Sequence, residues 1–397
     1  MRKCIFTREI QYELQRHALD KNDEIVNKLL HALFDDPYKS TTQYLLKKNL
    51  NSLDDISGVL KAIQFPIDDE LKMKFIGHVR SIFEMNGDEE LPKTLATQLA
   101  SKEKIAIFVG SGVSKLLGFP LWSELAEQAI NFLWKEKIIS HSEKEKLLAE
   151  PSSPKHKISV FHKLLDKTER KSKEFYKKTF EPKKDVEKNP YELLAKLDCL
   201  KISINYDKEL WNALNRYQVA QAAKKSKKEE NTECDTPELH DTGVTVDTPL
   251  KSNAVYQIHG SYETMEKYSI VTLSDYLQKY YLDRSLGPSE FLCNVFQNYV
   301  TIFIGCGLEE FEIIQHLMNG PSKMHHLLSP TYLNDENLLR MKREYFQDTL
   351  KINIHGYYLD HHGYDRLHDI LESWVRKIPD EQSGILKKIV EAEGVEL

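Results

Sequence analysis

The sequence lacks paired cysteines. Its five cysteines are scattered over 397 residues, and the two closest, Cys293 and Cys306, lie 13 residues apart. This spacing excludes a Cys-x-x-Cys zinc or redox motif, because such motifs need two thiols within one turn of chain. An odd, scattered set of cysteines is typical of free thiols in a reducing compartment. The cysteine pattern therefore predicts a cytoplasmic protein without a cysteine-bound zinc ion.

Long apolar runs and an excess of positive charge are also missing. No run approaches the ~20 apolar residues that a membrane span needs, and charge interrupts Met1–Glu9 too early for a secretory signal. The net charge is -6 and the pI is near 6.2, whereas a large nucleic-acid footprint usually shows as a basic excess. The composition therefore argues against membrane insertion and direct nucleic-acid binding. A local basic patch stays open, since lysines cluster at 144–184 and 224–228.

The chain is long enough for more than one domain, and the pattern of apolar and charged residues changes along its length. Residues 1–95 have a helical period but no catalytic constellation, which predicts a helical N-terminal extension. Residues 96–380 are predicted to form one α/β domain, with a C-terminal tail at 381–397. Inside the domain, the lysine-rich residues 141–190 predict a helical insert. Residues 222–252 are polar and nearly free of large apolar groups, which predicts a flexible loop.

The α/β pattern begins after Lys104. Ile105–Val109 is a short, continuous apolar run of the kind that forms a parallel strand buried on both faces. A glycine turn follows it, and then a helical stripe from Trp122 to Trp134. Since helical patterns separate most later strand candidates, the economical fold is a Rossmann-like parallel sheet covered by helices. Those later candidates are Leu200–Ile204, Val255–Ile258, Val300–Ile304, Met324–Leu328 and Ile352–Ile354.

The first motif that carries chemistry is Gly110–Trp122, directly after the first strand. Its two leading glycines, Gly110 and Gly112, let the backbone turn tightly and approach a phosphate closely. The amides and the following helix N-terminus supply donors and a positive dipole end. A glycine pair after a strand can also be a purely structural turn. The spacing to Gly118 and Pro120 makes the nucleotide-binding interpretation more specific.

Three further polar motifs also follow apolar strands, where parallel α/β sheets bind their ligands. Asn205 and Asp207 follow the second strand, although either could serve only as a helix N-cap. His259 precedes a glycine, and a neutral imidazole could take a proton from a sugar hydroxyl, although a lone histidine is more often structural. Gly305 and Gly307 form a second glycine turn, which could accept the other half of a dinucleotide or be a simple turn.

Together and in this order, the four motifs resemble those of the sirtuins (silent information regulator proteins). That family's pattern is Gly-Ala-Gly-x-Ser with a nearby Gly-x-Pro, then Asn-x-Asp, then His-Gly, then a later glycine-rich nucleotide turn. The resemblance covers about residues 98–376. It is closest to the bacterial sirtuin-like branch associated with anti-phage defence. Phrases like Asn205–Asp207, Val271–Tyr276 and Phe303–Leu308 are typical of that branch.

The resemblance implies a role at an NAD site for each motif. Asn205 would position the attacking water or the nicotinamide ribose, and Asp207 would orient the nicotinamide pocket. His259 would act as general base or hold the ribose hydroxyls. The implied NAD-binding residues are Gly110, Ser111, Gly112 and Ser114 for the phosphates and adjoining ribose, Pro120 and Trp122 for the nicotinamide side, and Gly305 and Gly307 for the adenosine half.

The sequence departs from the family at three places. The four-cysteine zinc module of deacylating sirtuins is missing, so no zinc is expected and protein deacylation is disfavoured. Ser111 stands where alanine is usual. Leu308–Glu312 replaces the Asp-x-Asn that commonly follows the last glycine turn, which leaves the adenosine contacts open.

The implied activity is hydrolysis of NAD, as substrate, to nicotinamide and ADP-ribose by an NAD glycohydrolase. Uncontrolled NAD loss would harm the host, so we expect a gated effector of anti-phage defence that depletes NAD. The branch also implies a homo-oligomer, with a HerA-type ATPase partner or a phage-derived trigger. Two alternatives stay open: a non-catalytic module that senses NAD or ADP-ribose, and a zinc-free protein deacylase.

Overall fold

A computed structural model describes residues 91–378, with gaps at 102, 166–168, 182–187, 226–235, 266, 284–286, 309, 319–322, 333–334 and 360–362. All of these residues belong to the unit that spans Asp88–Leu397. The predicted N-terminal extension, apart from residues 91–95, and the predicted tail at 381–397 lie outside the described residues.

Seven strands form one sheet in which every neighbouring pair is parallel, in the order β3-β4-β2-β1-β5-β6-β7. The predicted Rossmann-like α/β fold is therefore confirmed. The strands are β1 (Ile105–Val109), β2 (Leu200–Ser203), β3 (Glu238–His240), β4 (Ala254–Gln257), β5 (Val300–Ile304), β6 (His325–Thr331) and β7 (Ile352–Tyr358).

Helices cover both faces of this sheet. In the described part of the chain, no helix is both long and apolar enough to cross a membrane. The helices are α1 (Lys93–Ala100), α2 (Ser111–Leu116), α3 (Trp122–Lys135), α4 (His141–Ala149), α5 (Pro154–Leu165), α6 (Glu169–Phe180), α7 (Pro190–Leu194), α8 (Glu209–Lys225), α9 (Leu273–Leu277), α10 (Pro288–Asn298), α11 (Phe311–Met318), α12 (Glu336–Leu350) and α13 (366–378).

The central strand β1 divides the core into two layers. Its five residues are all buried, and alternate side chains point to opposite faces of the sheet. Ile105, Ile107 and Val109 pack into one apolar cluster, whereas Ala106 and Phe108 pack into the other. Burial on both faces explains why this strand reads as a continuous apolar run rather than an alternating one.

The strand order places a crevice at the end of β1. From β1 the chain builds β2, β3 and β4 on one side, then crosses to β5 on the other side. Val109, the last residue of β1, is in register with Ser203 of β2 and with Ile304 of β5. Parallel sheets bind ligands outside the carboxyl ends of their strands where the order reverses. The residues that follow β1, β2 and β5 therefore meet at one edge.

The predicted helical insert at 141–190 contains α4, α5 and α6, and its described part packs on the core. Phe161 of α5 and Phe175 of α6 have ring centroids 4.8 Å apart. Phe161 is fully buried, so the insert shares the apolar layer that holds α3.

Within the predicted flexible loop at 222–252, the described residues include regular secondary structure. The helix α8 continues to Lys225, and residues 238–240 form the edge strand β3 against β4. Val244 is buried. The strand was missed because its three residues, Glu-Leu-His, are half-exposed at the sheet edge and lack the apolar run of a central strand.

Candidate active site

The turn after β1 packs directly against the turn after β5. The amide of Gly110 donates to the carbonyl of Ile304 at 2.9 Å, and the amide of Gly112 donates to that of Gly305, also at 2.9 Å. A Cβ on Gly110 would lie 2.6 Å from the carbonyl oxygen of Gly305, closer than van der Waals contact permits. Glycine is required here because two backbones touch.

These bonds bear on the predicted phosphate contacts. The amides of Gly110 and Gly112 are used within the protein, so the glycines act in this conformation by packing. Ser111 and Ser114, both on α2, reach the neighbouring pocket instead. Phosphate binding by the turn stays a prediction.

Four side chains form what we call the asparagine network: Ser114, Tyr191, Asn205 and Asp207. Ser114 Oγ donates to Asp207 Oδ2 at 2.7 Å and lies 2.8 Å from the hydroxyl of Tyr191. Asn205 Nδ2 lies 2.8 Å from Ser114 Oγ and 3.0 Å from the Tyr191 hydroxyl. All four residues are buried, so these bonds hold the side chains in single orientations.

The network fixes which end of the Asn205 amide faces the pocket. Asn205 Nδ2 lies 3.0 Å from the carbonyl oxygen of Gly110, which can only accept a hydrogen bond. The NH2 end therefore points into the protein, and the network assigns Oδ1 to the pocket side. This orientation presents a hydrogen-bond acceptor to whatever occupies the pocket.

Gln257 of β4 holds the loop that contains Asn205 and Asp207. Gln257 Nε2 donates to the backbone carbonyl of Asn205 at 3.0 Å and to that of Asp207 at 2.5 Å. Asp207 Oδ1 also accepts from the amide of Glu209 at 3.1 Å, at the start of α8. Asp207 is therefore both a helix cap and a member of the site, because Oδ1 caps α8 and Oδ2 joins the asparagine network. Burial raises the pKa of Asp207 to about 6.

A pocket with a cavity volume of about 20 Å³ lies over this network. It brings together six of the eleven predicted site residues, whereas five do not line it: Gly110, Gly112, His259, Gly305 and Gly307. This volume holds about one water molecule, so in this conformation the pocket is too small for a nucleotide or a nicotinamide ring. The lining residues are Ser111, Ser114, Pro120, Trp122, Leu125, Phe180, Ile204, Asn205, Tyr206 and Asp207.

His259 is sealed beside this pocket with 0% of its surface exposed. Its Nε2 lies 2.9 Å from the hydroxyl of Tyr280, its Nδ1 lies 3.4 Å from that of Tyr276, and its ring also hydrogen-bonds the backbone of Ile204. Burial, assisted by the nearby charge of Lys155, lowers the pKa of His259 to about 3. The imidazole is therefore neutral, but in this conformation it is a weak base.

The seal over His259 forms what we call the tyrosine cover: Tyr276 and Tyr280 with Lys155 and Glu312. Lys155 Nζ of α5 lies 3.7 Å from the centre of the Tyr276 ring and 3.1 Å from Glu312 Oε2 of α11. Tyr280 lies in a π-helical turn, Gln278–Leu282, that continues α9. Such turns recur at functional sites. The insert thus reaches the site through Lys155.

Glu310 lies in the segment where the sequence departs from the sirtuin pattern. Burial raises the pKa of its carboxyl to about 7, against the opposing charge of Lys155. Among the described residues, Glu310 Oε2 has no hydrogen-bond partner. The turn before it contains Gly305 at φ 65° and Leu308 at φ 49°, and left-handed backbone at a non-glycine residue is strained. The turn after β5 is therefore strained and ends in an unpaired buried carboxyl.

Comparison with known families matches residues 200–349 to the SIR2-like domain. This part of the chain is similar to the sirtuin family. The matched range runs from β2 to near the end of α12 and contains Asn205, Asp207, His259 and both later glycines. The Gly110–Trp122 turn lies outside the match, and its place beside the β5 turn comes from the geometry alone. A search of curated proteins finds no match for the chain.

A SIR2-like domain implies NAD binding. Within the described residues, no group of three or more histidine, cysteine, aspartate or glutamate side chains could hold a metal ion. The side chains assembled here are hydrogen-bonding groups and titratable carboxyls, which suit a polar nucleotide.

Sequence reasoning missed several residues of the site. Tyr191 and Gln257 hold Asn205 in place, and Tyr276 and Tyr280 enclose His259, yet none of them lies in a glycine motif or at a helix cap. Only Tyr276 carried a signal, because it ends the Val271–Tyr276 phrase. Lone tyrosines read as core residues in a sequence, and only their hydroxyl contacts distinguish them.

Proposed function

We propose that this sirtuin-like protein is an NAD glycohydrolase, which cleaves NAD to nicotinamide and ADP-ribose. The observation that carries the proposal is the orientation of Asn205, whose Oδ1 faces the pocket while three contacts hold its Nδ2. An acceptor held in this way suits a water molecule, which must point a lone pair at the reacting carbon. Preorganised groups of this kind supply much of enzymatic catalysis.

In the proposed reaction, the bond between ribose C1′ and the nicotinamide nitrogen breaks as the ribose gains oxocarbenium character. The oxygen of one water bonds to C1′, and nicotinamide leaves as a neutral molecule. Asn205 Oδ1 accepts a hydrogen bond from that water, and the proton released by the water passes to His259 or to solvent. Asp207 forms one wall of the pocket, and its negative charge favours the cation-like ribose.

The proposal includes gating. In this conformation the pocket has room for about one water molecule, and His259 has no exposed surface. NAD would therefore enter only after the tyrosine cover moves. A gated NAD glycohydrolase suits an effector of anti-phage defence in the bacterial cytoplasm. Its opening would come from self-assembly, a HerA-type ATPase partner or a phage-derived trigger. Cells that express the chain without phage should keep normal NAD levels, and rapid NAD loss in them would contradict gating.

The test is to incubate purified full-length protein with NAD and to follow nicotinamide and ADP-ribose by chromatography. We expect Asn205→Ala to lower kcat by at least about 100-fold, and His259→Ala to abolish most of the activity. Asn212→Ala is the matched control, since the side chain of Asn212 on α8 hydrogen-bonds Glu209 and does not line the pocket. Equal turnover by the Asn205 and Asn212 variants would contradict the proposal.

A second candidate is a module that binds NAD or ADP-ribose without turnover. The sealed and weakly basic His259 favours it, because a sensor does not need an accessible base. Calorimetry that detects NAD binding, with no nicotinamide released under any activating condition, would support this candidate. A zinc-free deacylase would instead release acyl groups from acylated lysine peptides.

A further inference from the structure

Tyr191 lies directly after the helical insert, in the short helix α7. The side chain of Asn189 caps this helix by accepting from the Tyr191 amide at 3.0 Å, and Pro190 occupies its first turn. The Tyr191 side chain has 0% exposed surface. The ring is therefore anchored from its own backbone, and the hydroxyl is delivered to a fixed point beside β1 and β2.

The hydrogens in the asparagine network can be assigned one by one. Ser114 has a single hydroxyl hydrogen, which it gives to Asp207 Oδ2, since an ionised carboxylate can only accept. In the Ser114–Tyr191 pair the donor must then be Tyr191. Burial keeps the pKa of Tyr191 well above its usual value, so this hydrogen stays on the phenol. The Tyr191 oxygen is left to accept from Asn205 Nδ2 at 3.0 Å, and the two hydrogens of this amide are shared among three acceptors, the Tyr191 oxygen, Ser114 Oγ and the carbonyl of Gly110.

We propose that Tyr191 is a positioning residue for Asn205: its hydroxyl, bonded to both Ser114 and Asn205, locks the amide so that Oδ1 faces the reacting water. This inference rests on the proposed NAD glycohydrolase activity. Without the hydroxyl, Asn205 Nδ2 keeps two contacts but loses the one that comes from outside β1 and its turn. The amide then rotates more freely, and the water is aligned for a smaller fraction of the time.

The proposal distinguishes kcat from KM. Alignment of the water matters in the transition state, whereas NAD binding draws on the rest of the pocket, so a looser Asn205 lowers kcat and leaves KM nearly unchanged. A residue with only a structural role would lower stability without this selective loss of kcat.

The matched control is Tyr176 of α6, also fully buried, whose hydroxyl lies 2.8 Å from His162 Nε2 inside the insert. Tyr191→Phe and Tyr176→Phe each remove one buried hydroxyl from the same region. We expect Tyr191→Phe to lower kcat by about tenfold or more, with KM within about twofold, while Tyr176→Phe keeps kcat. Thermal unfolding should show both variants folded.

The outcomes separate this inference from the proposed function. If the wild type turns over NAD and Tyr191→Phe matches it in kcat, the assignment of Tyr191 is overturned and the glycohydrolase stands. If the wild type shows no turnover, the dissociation constant of ADP-ribose is measured by calorimetry. If ADP-ribose binds, the side-chain amide of Asn205 is compared by NMR in the two variants: greater mobility in Tyr191→Phe than in Tyr176→Phe supports the positioning role, and equal mobility overturns it. Absence of ADP-ribose binding by the wild type overturns both.

Discussion

Two of the three predicted catalytic side chains, Asn205 and His259, occupy contrasting surroundings at one edge of the sheet. Asn205 is held by the asparagine network, and one of its contacts is the backbone carbonyl of Gly110. His259 is held by the tyrosine cover, whose members are the ends of long side chains on α5, α9 and α11. Backbone contacts stay fixed as long as the sheet is folded, whereas side-chain ends can change rotamer. The comparison indicates that the orientation of Asn205 is fixed, whereas the side chains that cover His259 can move.

The largest expected effect comes from breaking the asparagine network at Ser114. Ser114→Ala removes the oxygen that joins Asp207, Tyr191 and Asn205. We expect kcat to fall by about 100-fold, since small displacements of a positioning group are costly. The buried partners left unpaired should also lower the free energy of unfolding by about 1–3 kcal/mol.

Ser159→Ala is the matched control, because Ser159 supports the tyrosine cover rather than the asparagine network. Ser159 Oγ of α5 accepts from the amide of Leu273 at the start of α9, so its loss loosens the tyrosine cover. This variant should keep or raise NAD turnover, as measured by nicotinamide release. A fall as large as that of Ser114→Ala would remove the distinction between the two halves.

An intermediate effect of opposite sign is expected at Lys155. Lys155→Met removes a half-buried ion pair with Glu312 and the contact with the Tyr276 ring. These contacts are worth about 1.4 kcal/mol together, which shifts a closed-to-open equilibrium by about tenfold. We therefore expect NAD turnover to rise by about tenfold in initial-rate assays of the unstimulated protein.

Lys157→Met is the control for Lys155, because Lys157 is on the same helix but bonds the carbonyl of Leu148, away from the site. A second measurement is the imidazole titration of His259, followed by NMR of histidine-labelled protein and assigned with His259→Gln. Its pKa of about 3 should move toward the ordinary value in Lys155→Met, because exposure and the loss of a positive charge both favour protonation. An unchanged titration with raised turnover would place the gate elsewhere.

The smallest expected effect is the fall in kcat at low pH, the acid limb of the pH profile, which protonation of Asp207 causes. Its pKa of about 6 predicts that kcat, measured from pH 5 to 8, falls by about half at pH 6, where half of the carboxyls are protonated. The stability effect has the opposite sign. The folded pKa lies above the unfolded value, so the stabilisation is full at low pH and is lost as the pH rises through about 6.

Asp207→Asn separates these two effects. It should lower kcat and remove the acid limb while it raises the free energy of unfolding at pH 7.5 by about 1 kcal/mol, because a neutral amide costs less to bury. Denaturant titrations at pH 5 and 7.5 measure the second part. An acid limb that persists in the variant would assign it to another group, with Glu310 the next to examine.

Much of the fold could be predicted because central strands in this protein carry their own signal. Burial on both faces demands continuous apolar runs, and the predicted bounds of β1 and β5 are confirmed. The edge strand β3 could not be predicted, since it is half-exposed and its Glu-Leu-His sequence resembles a loop. The apolar sequence pattern that predicts a strand is therefore weaker at the exposed edge of the sheet.

In the site, the residues that could be predicted are those that local sequence patterns mark. Polar residues directly after strands, such as Asn205, Asp207 and His259, are visible because strand ends converge in a parallel sheet. Tyr191 and Gln257 were not visible, because their roles depend on hydroxyl and amide contacts across the fold. The burial that seals His259 was not visible either.

The sequence by itself determined the parallel α/β architecture and the polar residues at the strand ends, because burial on both faces and the carboxyl-end rule act through local patterns. Only the tertiary structure decided which of those residues share the pocket. Hydrogen-bond geometry and desolvation arise from chain segments that are far apart: Tyr191 meets Asn205 from 14 residues away, and Gly110 meets it from 95. These contacts turned the Asn205 acceptor toward the pocket, and those of Tyr276 and Tyr280 left His259 covered.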